Sequence, residues 1–341
     1  MSAVPVESAA PPWWELNGLW AKWVAFLDQE EHPRALGLVR VLLGVVICFD
    51  LAQIANLDLV LELFGTAEMG GLSDAAVRSE IPYWYRVFPN EAWAAWALYL
   101  TMLTTATTLT LGFFTRSSAL ILLLCWSQQA LILPPSDRGI DLMCRNILCL
   151  LMFTQAGQWL GADGAIRKWR TGVPTTRIPA WPRYLLLLQI VVMYWTAGVQ
   201  KVGLEWTPMG QFAAVYVILQ DPAIATYDFA YVRNQPFYFS TQIGTAVTYI
   251  WQWTYPIVLL WYWYDFGPQR DTWFRRVSRR FHLKWVYIAI GAWFHLMLAV
   301  TMELGIFPYA MLALYPAFFH PDTLLALGRR LGIAPVTPAP G

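Results

Sequence analysis

One lysine is the residue whose type and position best suit acid–base chemistry in this sequence. Lys201 ends an apolar run that begins at Tyr184, and it is one of four lysines in the chain. Loss of hydration lowers the pKa of a lysine, and an amine that is neutral at working pH can act as a general base. The same position also suits a lysine that extends its charge from a helix end to the membrane surface. Gly198 and Gly203 on either side permit a neighbouring helix to approach closely.

Four charged residues in other apolar runs are further candidates, because such charges are expensive in a membrane and usually point into a helix bundle. Arg40 and Asp50 lie in the first run. Asp141 and Arg145 lie four residues apart in the fourth run, where they share a helix face and can pair. We expect ion pairs that hold helices together. A contact with a polar substrate group is the alternative for Asp141.

A histidine lies in the middle of a later apolar run. His295 is followed eight residues on by Glu303, roughly on the same helix face. The histidine is either a catalytic or a hydrogen-bonded packing residue, and the glutamate either belongs to a site or only ends the helix. Gln128 and Gln129 could line a polar cavity. The four cysteines and four histidines are too scattered for metal-ligand spacing, so the sequence predicts neither a disulfide framework nor a metal site.

The composition indicates which elements hold these residues. Of 341 residues, 57% are hydrophobic and 13% are charged, and this charged share is about half that of a soluble domain. The apolar residues gather in blocks of about 20, the length that spans a bilayer. The sequence therefore predicts an all-α, polytopic transmembrane helical bundle. Its 20 tryptophans suit membrane interfaces, and no basic, aromatic-interleaved surface suggests nucleic acid.

The apolar runs divide the chain into a membrane domain with two flanking segments. We place eight spans at about residues 34–57, 92–113, 117–133, 140–160, 183–202, 243–264, 285–302 and 305–319. Residues 1–33 are expected to be a cytoplasmic or interfacial segment, in which Trp13-Trp14 and Trp20 suggest a surface helix. The transmembrane domain covers residues 34–320, and residues 321–341 are expected to be a disordered C-terminal tail.

The basic residues favour one orientation of these spans. With the N-terminus inside, sixteen lysines and arginines lie in inner segments and four arginines lie in outer segments. This difference predicts that both termini are cytoplasmic. It also places Lys201 at the outer end of the fifth span, beneath a loop from Gly203 to about Gln242 that is rich in tyrosine and phenylalanine.

Several motifs resemble those of a known family. The run Ala197-Gly198-Val199-Gln200-Lys201, followed by Trp206 and Gly210, resembles the lysine motif of vitamin K-dependent gamma-carboxylases and their bacterial relatives, the HTTM (horizontally transferred transmembrane) family. His295 and the later Gly305-Ile306-Phe307 are similar to the family's histidine helix and the span after it. Further matches lie at Arg40, Asp50, Gly139, Asp141 and Arg145.

The resemblance implies a mechanism. In the carboxylases the equivalent lysine deprotonates a reduced naphthoquinone, oxygen converts it to the epoxide, and the base formed on the way removes a proton from glutamate, which captures carbon dioxide. Lys201 would be the starting base, and His295 would assist as a hydrogen-bond partner in the site. The implied cofactor is a reduced naphthoquinone, with oxygen and carbon dioxide as co-substrates and no metal. The other implied roles are substrate binding by Trp206, Asp141, Arg145 and Glu303 and structural support by Arg40, Asp50 and Gly198.

The sequence departs from the carboxylases in two ways. No histidine lies between His32 and His282, where the carboxylases have one tied to carboxylation, and no counterpart of their large lumenal domain follows the last span. Quinol oxygenation is therefore easier to expect than carboxylation of a protein. The alternative is a non-catalytic membrane protein that binds lipid or quinone, or a subunit of a membrane redox or export complex. The expected partners are membrane lipids, a lipophilic quinone and a small or peptide substrate on the outer face of a multi-pass protein in a bacterial inner membrane.

Overall fold

The computed structural model describes residues 16–73, 82–173, 177–266 and 272–332. Within these ranges almost all regular structure is helical, as the sequence predicts. One exception is a short antiparallel ladder between strands β1 (Glu30–Glu31) and β2 (Ile178–Pro179). Outside the described residues lie Trp13, Trp14, Arg78, Arg270 and the end of the tail from residue 333.

The helices follow one another along the chain with short connections. In chain order they are α1 (Leu16–Leu27), α2 (Arg34–Asn56), α3 (Val60–Phe64), α4 (Tyr83–Val87), α5 (Ala92–Leu111), α6 (Thr115–Ile132), α7 (Gly139–Leu151), α8 (Ala162–Thr171), α9 (Trp181–Val199), α10 (Ala214–Leu219), α11 (Phe237–Trp253), α12 (Ile257–Phe266), α13 (Trp273–Arg280), α14 (Leu283–Thr301), α15 (Phe307–Leu314) and α16 (Pro321–Arg330). Short 3-10 helices lie at Ala67–Met69, Pro134–Ser136, Ala156–Gln158, Leu204–Trp206, Pro208–Gly210, Ala230–Arg233 and Tyr315–Phe318.

Four of the described helices are long and apolar enough to cross a membrane, namely α2, α5, α9 and α14. A fifth span is available if Phe307–Phe318 and α16, which meet at a bend of 104°, are taken together. Length and composition therefore support a membrane protein with four or five spans, and the predicted number of eight stays a prediction. Helix α7 has 13 residues, fewer than the roughly 20 that a span requires.

Three predicted boundaries differ from those of the structure. The fourth predicted span runs to residue 160, but α7 ends at Leu151, whose carbonyl accepts a hydrogen bond from the Thr154 hydroxyl. The sixth is divided between α11 and α12 at Pro256, because proline cannot donate the backbone hydrogen bond that continues a helix. The predicted tail begins with an ordered helix, α16, whose Asp322 forms an ion pair with Arg34.

The helices run between two ends of the bundle. We call the one at which α9 ends the Lys201 end. There Arg138, just before α7, binds Asp50 near the end of α2, and the loop after α10 pairs with Met302 after α14. The opposite end holds the β1–β2 ladder, α8 and α16. A buried ion pair between Glu31 and Arg183, with 2.8 Å between Oε2 and Nη2, joins α9 to the N-terminal segment at that end.

Close contacts between backbones hold the first helices together. A Cβ added at Gly44 of α2 would lie 3.1 Å from the Cα of Thr110 in α5, so only glycine permits this approach. Arg40, fully buried, donates from Nη1 to the carbonyls of Leu109 and Thr110 and from Nη2 to that of Leu160. Arg40 therefore binds carbonyls at the end of α5, whereas an ion pair was predicted for it. None of the ion pairs in the described part of the chain includes Arg40.

Candidate functional site

Lys201 lies two residues beyond the end of α9 and is partly buried. Its Nζ donates a hydrogen bond to the Ala197 carbonyl at 3.0 Å and lies 4.9 Å from the ring centroid of Trp206. The contact with Ala197 places the ammonium against the carbonyls that end the helix, where a positive charge is favourable. Burial nevertheless lowers the pKa of Lys201 below the usual lysine value. None of the ion pairs formed between described residues includes this amine.

The glycine before Lys201 sets the packing of α9 against α11. A Cβ added at Gly198 would lie 3.0 Å from the backbone carbon of Gln252 in α11. The two backbones can approach this closely because glycine has no side chain. The close helix contact predicted at Gly198 is therefore present, and it fixes the position of the turn that carries Lys201.

His295 lies in the middle of α14 and is fully buried. Its Nε2 is 2.5 Å from the Tyr194 hydroxyl oxygen, which lies 3.2 Å from that of Tyr315. Rings of Phe294 and Phe307 also surround the imidazole. Its Nδ1 has no hydrogen-bond partner among the described residues. The histidine therefore belongs to a buried polar chain between α9, α14 and the 3-10 helix after α15.

Among the described hydrogen bonds, the contact between His295 and Tyr194 links His295 to α9, the helix that precedes Lys201. Tyr194, the hydrogen-bond partner of His295, precedes Lys201 by seven residues, which is about two helical turns or roughly 10 Å along the axis. Neither Lys201 nor His295 lines any of four described cavities, whose volumes are about 190, 340, 360 and 560 Å³. Lys201 and the Tyr194 partner of His295 thus lie about two turns apart along α9, and neither Lys201 nor His295 lines one of these cavities.

The charged residues of α7 pair differently from the expectation. Asp141 does not pair with Arg145. It accepts hydrogen bonds from the Arg138 backbone and guanidinium at 2.9 Å, because Arg138 immediately precedes the helix and Asp141 lies in its first turn. Arg145 instead makes two 2.7 Å hydrogen bonds to Asp137. Arg138 also reaches Asp50 at 2.8 Å, so this cluster does join α2 to α7.

The Asp50–Arg138–Asp141 cluster lines a cavity of about 190 Å³ at the Lys201 end. Burial acts to lower the pKa of Arg138, but its hydrogen bonds to Asp141 and Asp50 raise it above the usual arginine value. Gln129 also lines this cavity, as predicted, whereas Gln128 accepts a hydrogen bond from the Trp84 backbone. Asp141 therefore faces a cavity, and that cavity does not include Lys201.

Glu303 and Trp206 lie in the segments that cover the Lys201 end. The Glu303 side chain is exposed, and its backbone N–H donates to the Ile224 carbonyl at 2.7 Å. Trp206 lies in a 3-10 helix and contacts the amine of Lys201. Of the predicted substrate-binding residues, Trp206 is the one that the structure brings to Lys201.

Sequence reasoning missed Tyr194, Tyr315 and Arg138. A tyrosine within an apolar run is typical of an ordinary packing residue, so neither tyrosine stood out. The proximity of Tyr194 to Lys201 in sequence was the signal that could have identified it. Arg138 lies in a short polar turn, and its position immediately before a helix with an aspartate three residues on could have predicted the pairing.

The Tyr194 hydroxyl is expected to contribute to stability through His295. Replacing Tyr194 with phenylalanine leaves a buried imidazole nitrogen without its partner, which should cost about 1–3 kcal/mol. Thermal denaturation of the purified protein in detergent measures this loss. The matched control is Tyr255→Phe, because the buried Tyr255 hydroxyl has no described partner and its removal should cost little. Equal losses in both variants would contradict the assignment.

Comparison with known families gives one match over more than half of the chain. The family profile described as HTTM domain matches residues 29–261. This range contains Lys201, Trp206 and Gly198, whereas His295 lies beyond it. No match is found among curated proteins or among solved structures.

Proposed function

The chain belongs to the HTTM domain family, and on this premise we propose that it is an integral membrane enzyme in which Lys201 accepts a proton from a reduced naphthoquinone or a similar acidic lipid. A bound quinol would supply the acidic hydroxyl and the electrons that reduce oxygen, so that one oxygen atom would end in the quinone epoxide and the other, with the two quinol hydrogens, in water. Carbon dioxide capture by a second, small or peptide substrate is a further step that this family relationship suggests. The proposal extends the coarser conclusion that the protein is a membrane protein related to gamma-carboxylases.

The observation that carries the proposal is the environment of one amine. Lys201 is partly buried, lacks a carboxylate partner within 4 Å among the described residues and touches an indole ring. Desolvation without a compensating negative charge favours the neutral form of an amine. Lys201 can therefore offer a lone pair to an acidic hydroxyl, which is what a general base requires.

The residues that follow Lys201 suit a lipophilic substrate. Val202, Leu204 and Met209 follow the lysine closely and are 87%, 60% and 81% exposed, respectively. Their apolar surface, together with the Trp206 ring, would contact a fused aromatic ring and its hydrocarbon chain. The Ala197 carbonyl binds one N–H of the amine, and the other positions of Nζ have no described hydrogen-bond partner. These residues fit a naphthoquinol, whose polar hydroxyl and apolar body need both kinds of contact.

The orientation in the membrane is part of this proposal. The bundle has most of its basic residues at the opposite end, including Arg167, Lys168 and Arg170 of α8 and those of α13. The excess of positive charge on the cytoplasmic side of membrane proteins supports cytoplasmic termini and an outward-facing Lys201 end. The naphthoquinol would then reach Lys201 from the outer leaflet of a bacterial inner membrane.

A second candidate function is non-catalytic binding of lipid or quinone, alone or as a subunit of a redox or export complex. One observation favours it: the Lys201 amine binds a carbonyl of its own helix, which is also what a purely structural helix-ending lysine does. In this alternative the amine fixes the end of α9 and the apolar surface beside it holds the lipid without chemical change.

The proposal is tested with the purified wild-type protein. We expect mass spectrometry of co-purified lipids to find a quinone, and incubation with a reduced naphthoquinone and oxygen to yield the corresponding epoxide. Oxygen consumption without protein serves as the control, because reduced quinones oxidise slowly in air. Quinone binding without epoxide would support the binder instead. If neither binding nor turnover is found with naphthoquinols, the proposed substrate class is wrong.

A further inference from the structure

A cavity of about 560 Å³ lies at the opposite end from Lys201, beside α8. We call it the α8 cavity. Its lining residues are Phe113, Phe114, Gln158, Asp163, Ile166, Arg167, Arg170 and Thr171. The lining thus combines two phenylalanine rings and an isoleucine, which we call the phenylalanine wall, with two guanidinium groups, which we call the basic wall. None of the residues that line the α8 cavity has a role in the proposed reaction at Lys201.

The phenylalanine wall is held in place by Asp163. Its Oδ1 accepts a hydrogen bond from the Phe114 backbone at 2.8 Å, and its Oδ2 accepts from the Thr115 backbone and hydroxyl at 2.9 and 2.7 Å. Phe114 has the unusual positive φ of 46° and is 65% exposed, with its ring 4.5 Å from that of Phe113. The fold therefore fixes an exposed aromatic pair at this position.

The basic wall carries two guanidinium groups, those of Arg167 and Arg170. The Asp163 carboxylate is engaged by three donors of the Phe114–Thr115 turn. Arg167 donates to the Gln158 side chain at 3.0 Å, and Arg170 is exposed. A neighbouring cavity of about 340 Å³ shares Arg167 and adds Arg116.

Helix α8 also has the features of a helix that lies at a membrane surface. Trp169 is 83% exposed and lies three residues after Ile166, so the two side chains share a face. Lys168 and Arg170 are exposed beside them. Tryptophan prefers the level of lipid headgroups, and basic residues beside an apolar face favour anionic lipids.

We propose that the α8 cavity binds the headgroup of an anionic phospholipid. The phosphate lies between Arg167 and Arg170, because guanidinium groups bind phosphate oxygens through paired hydrogen bonds. The first carbons of the acyl chains lie against Phe113 and Phe114. A free inorganic phosphate would use the arginines alone and would leave the exposed aromatic pair without a role.

The test measures phosphatidylglycerol binding to the full-length protein in a neutral detergent by native mass spectrometry. Arg167→Gln/Arg170→Gln is expected to weaken binding by roughly tenfold or more, since each basic residue near a lipid surface contributes about 1 kcal/mol. The matched control is Arg329→Gln/Arg330→Gln, which removes two exposed arginines from the end of α16 on the same end of the bundle. The single variant Arg170→Gln serves if the double variant does not fold.

The outcomes of these measurements distinguish an anionic lipid from a free anion. Weaker phosphatidylglycerol binding in the α8 variants but not in the α16 variant supports the proposal, as does weaker binding of zwitterionic phosphatidylcholine by the wild type. Equal binding of the two lipids by the wild type would overturn it. Complete displacement of phosphatidylglycerol by inorganic phosphate at equal concentration would also overturn it, in favour of a site for the free anion.

Discussion

Replacing Lys201 with alanine is expected to lower the rate of quinol-dependent epoxide formation by about 10²–10⁴-fold, the usual contribution of a general base. The amine binds only the Ala197 carbonyl and the Trp206 ring among the described contacts, so its removal should leave the fold intact. Initial rates of the purified variant, with its melting temperature measured in parallel, give the result.

The control for this variant is Lys284→Ala. Lys284 lies near the start of α14, at the opposite end of the bundle, with its amine 3.9 Å from the Tyr262 ring centroid. The Lys284→Ala substitution removes the same charge and a similar ring contact at a distance from the proposed site. The rate of epoxide formation should therefore remain near that of the wild type. If Lys201→Ala turns over as fast as Lys284→Ala, Lys201 is not the base.

The pH dependence of the wild-type rate follows from the direction of the pKa shift. Burial lowers the pKa of Lys201, so the neutral amine that accepts the proton is populated at lower pH than for a lysine in water. The rate should rise with pH and level off below the usual lysine pKa. Between the lowered pKa of the folded chain and the usual lysine pKa, the unfolded chain binds more protons at Lys201 than the folded chain. The free energy of unfolding should therefore also rise with pH in this range. A rate that falls with pH across this range contradicts the assignment.

Replacing Glu31 with glutamine is expected to lower the free energy of unfolding by about 3–5 kcal/mol, because it leaves the buried Arg183 charge without its counterion. The side chains of Arg183 and Glu31 are 2% and 3% exposed. Two further hydrogen bonds from Arg183 Nε to the carboxylate, each 2.9 Å, add to the pair. Denaturation of the purified variant in detergent measures the loss.

The neighbouring residue gives a matched control. Glu30 lies beside Glu31 in strand β1 but is exposed, so Glu30→Gln should change the free energy of unfolding by little. The double variant Glu31→Leu/Arg183→Met removes both charges and should recover much of the stability lost in Glu31→Gln. Similar losses for Glu30→Gln and Glu31→Gln would mean that the buried pair is not the cause.

The longest apolar helices could be predicted from the sequence because their apolar length alone determines them. The predicted spans at residues 34–57 and 285–302 agree with α2 and α14 within two residues at each end. The shorter helices were harder, because residues 152–160 contain no charged residue and therefore continue the fourth predicted span in the sequence. There the local hydrogen bond of Thr154 ends α7, which no hydropathy average reports.

The candidate site could be predicted only in part, because a sequence shows unusual residue types but not which side chains meet in the folded bundle. Lys201 and His295 stand out because a charge or an imidazole in an apolar run requires an explanation. Which groups meet them depends on helix rotation and packing, which one sequence does not specify. Asp141 shows this limit: its spacing suggested Arg145 as its partner, but the turn before α7 brings Arg138 closer.

The ion pair between Glu31 and Arg183 has a consequence for biosynthesis. The two residues are 152 positions apart, so a ribosome adding about 5–20 residues per second exposes the glutamate roughly 8–30 s before the arginine. During that interval α2 and α5, both long and apolar enough to cross a membrane, are synthesised while the glutamate still lacks its partner. The N-terminal segment can therefore pair with α9 only after about half of the polypeptide has been made.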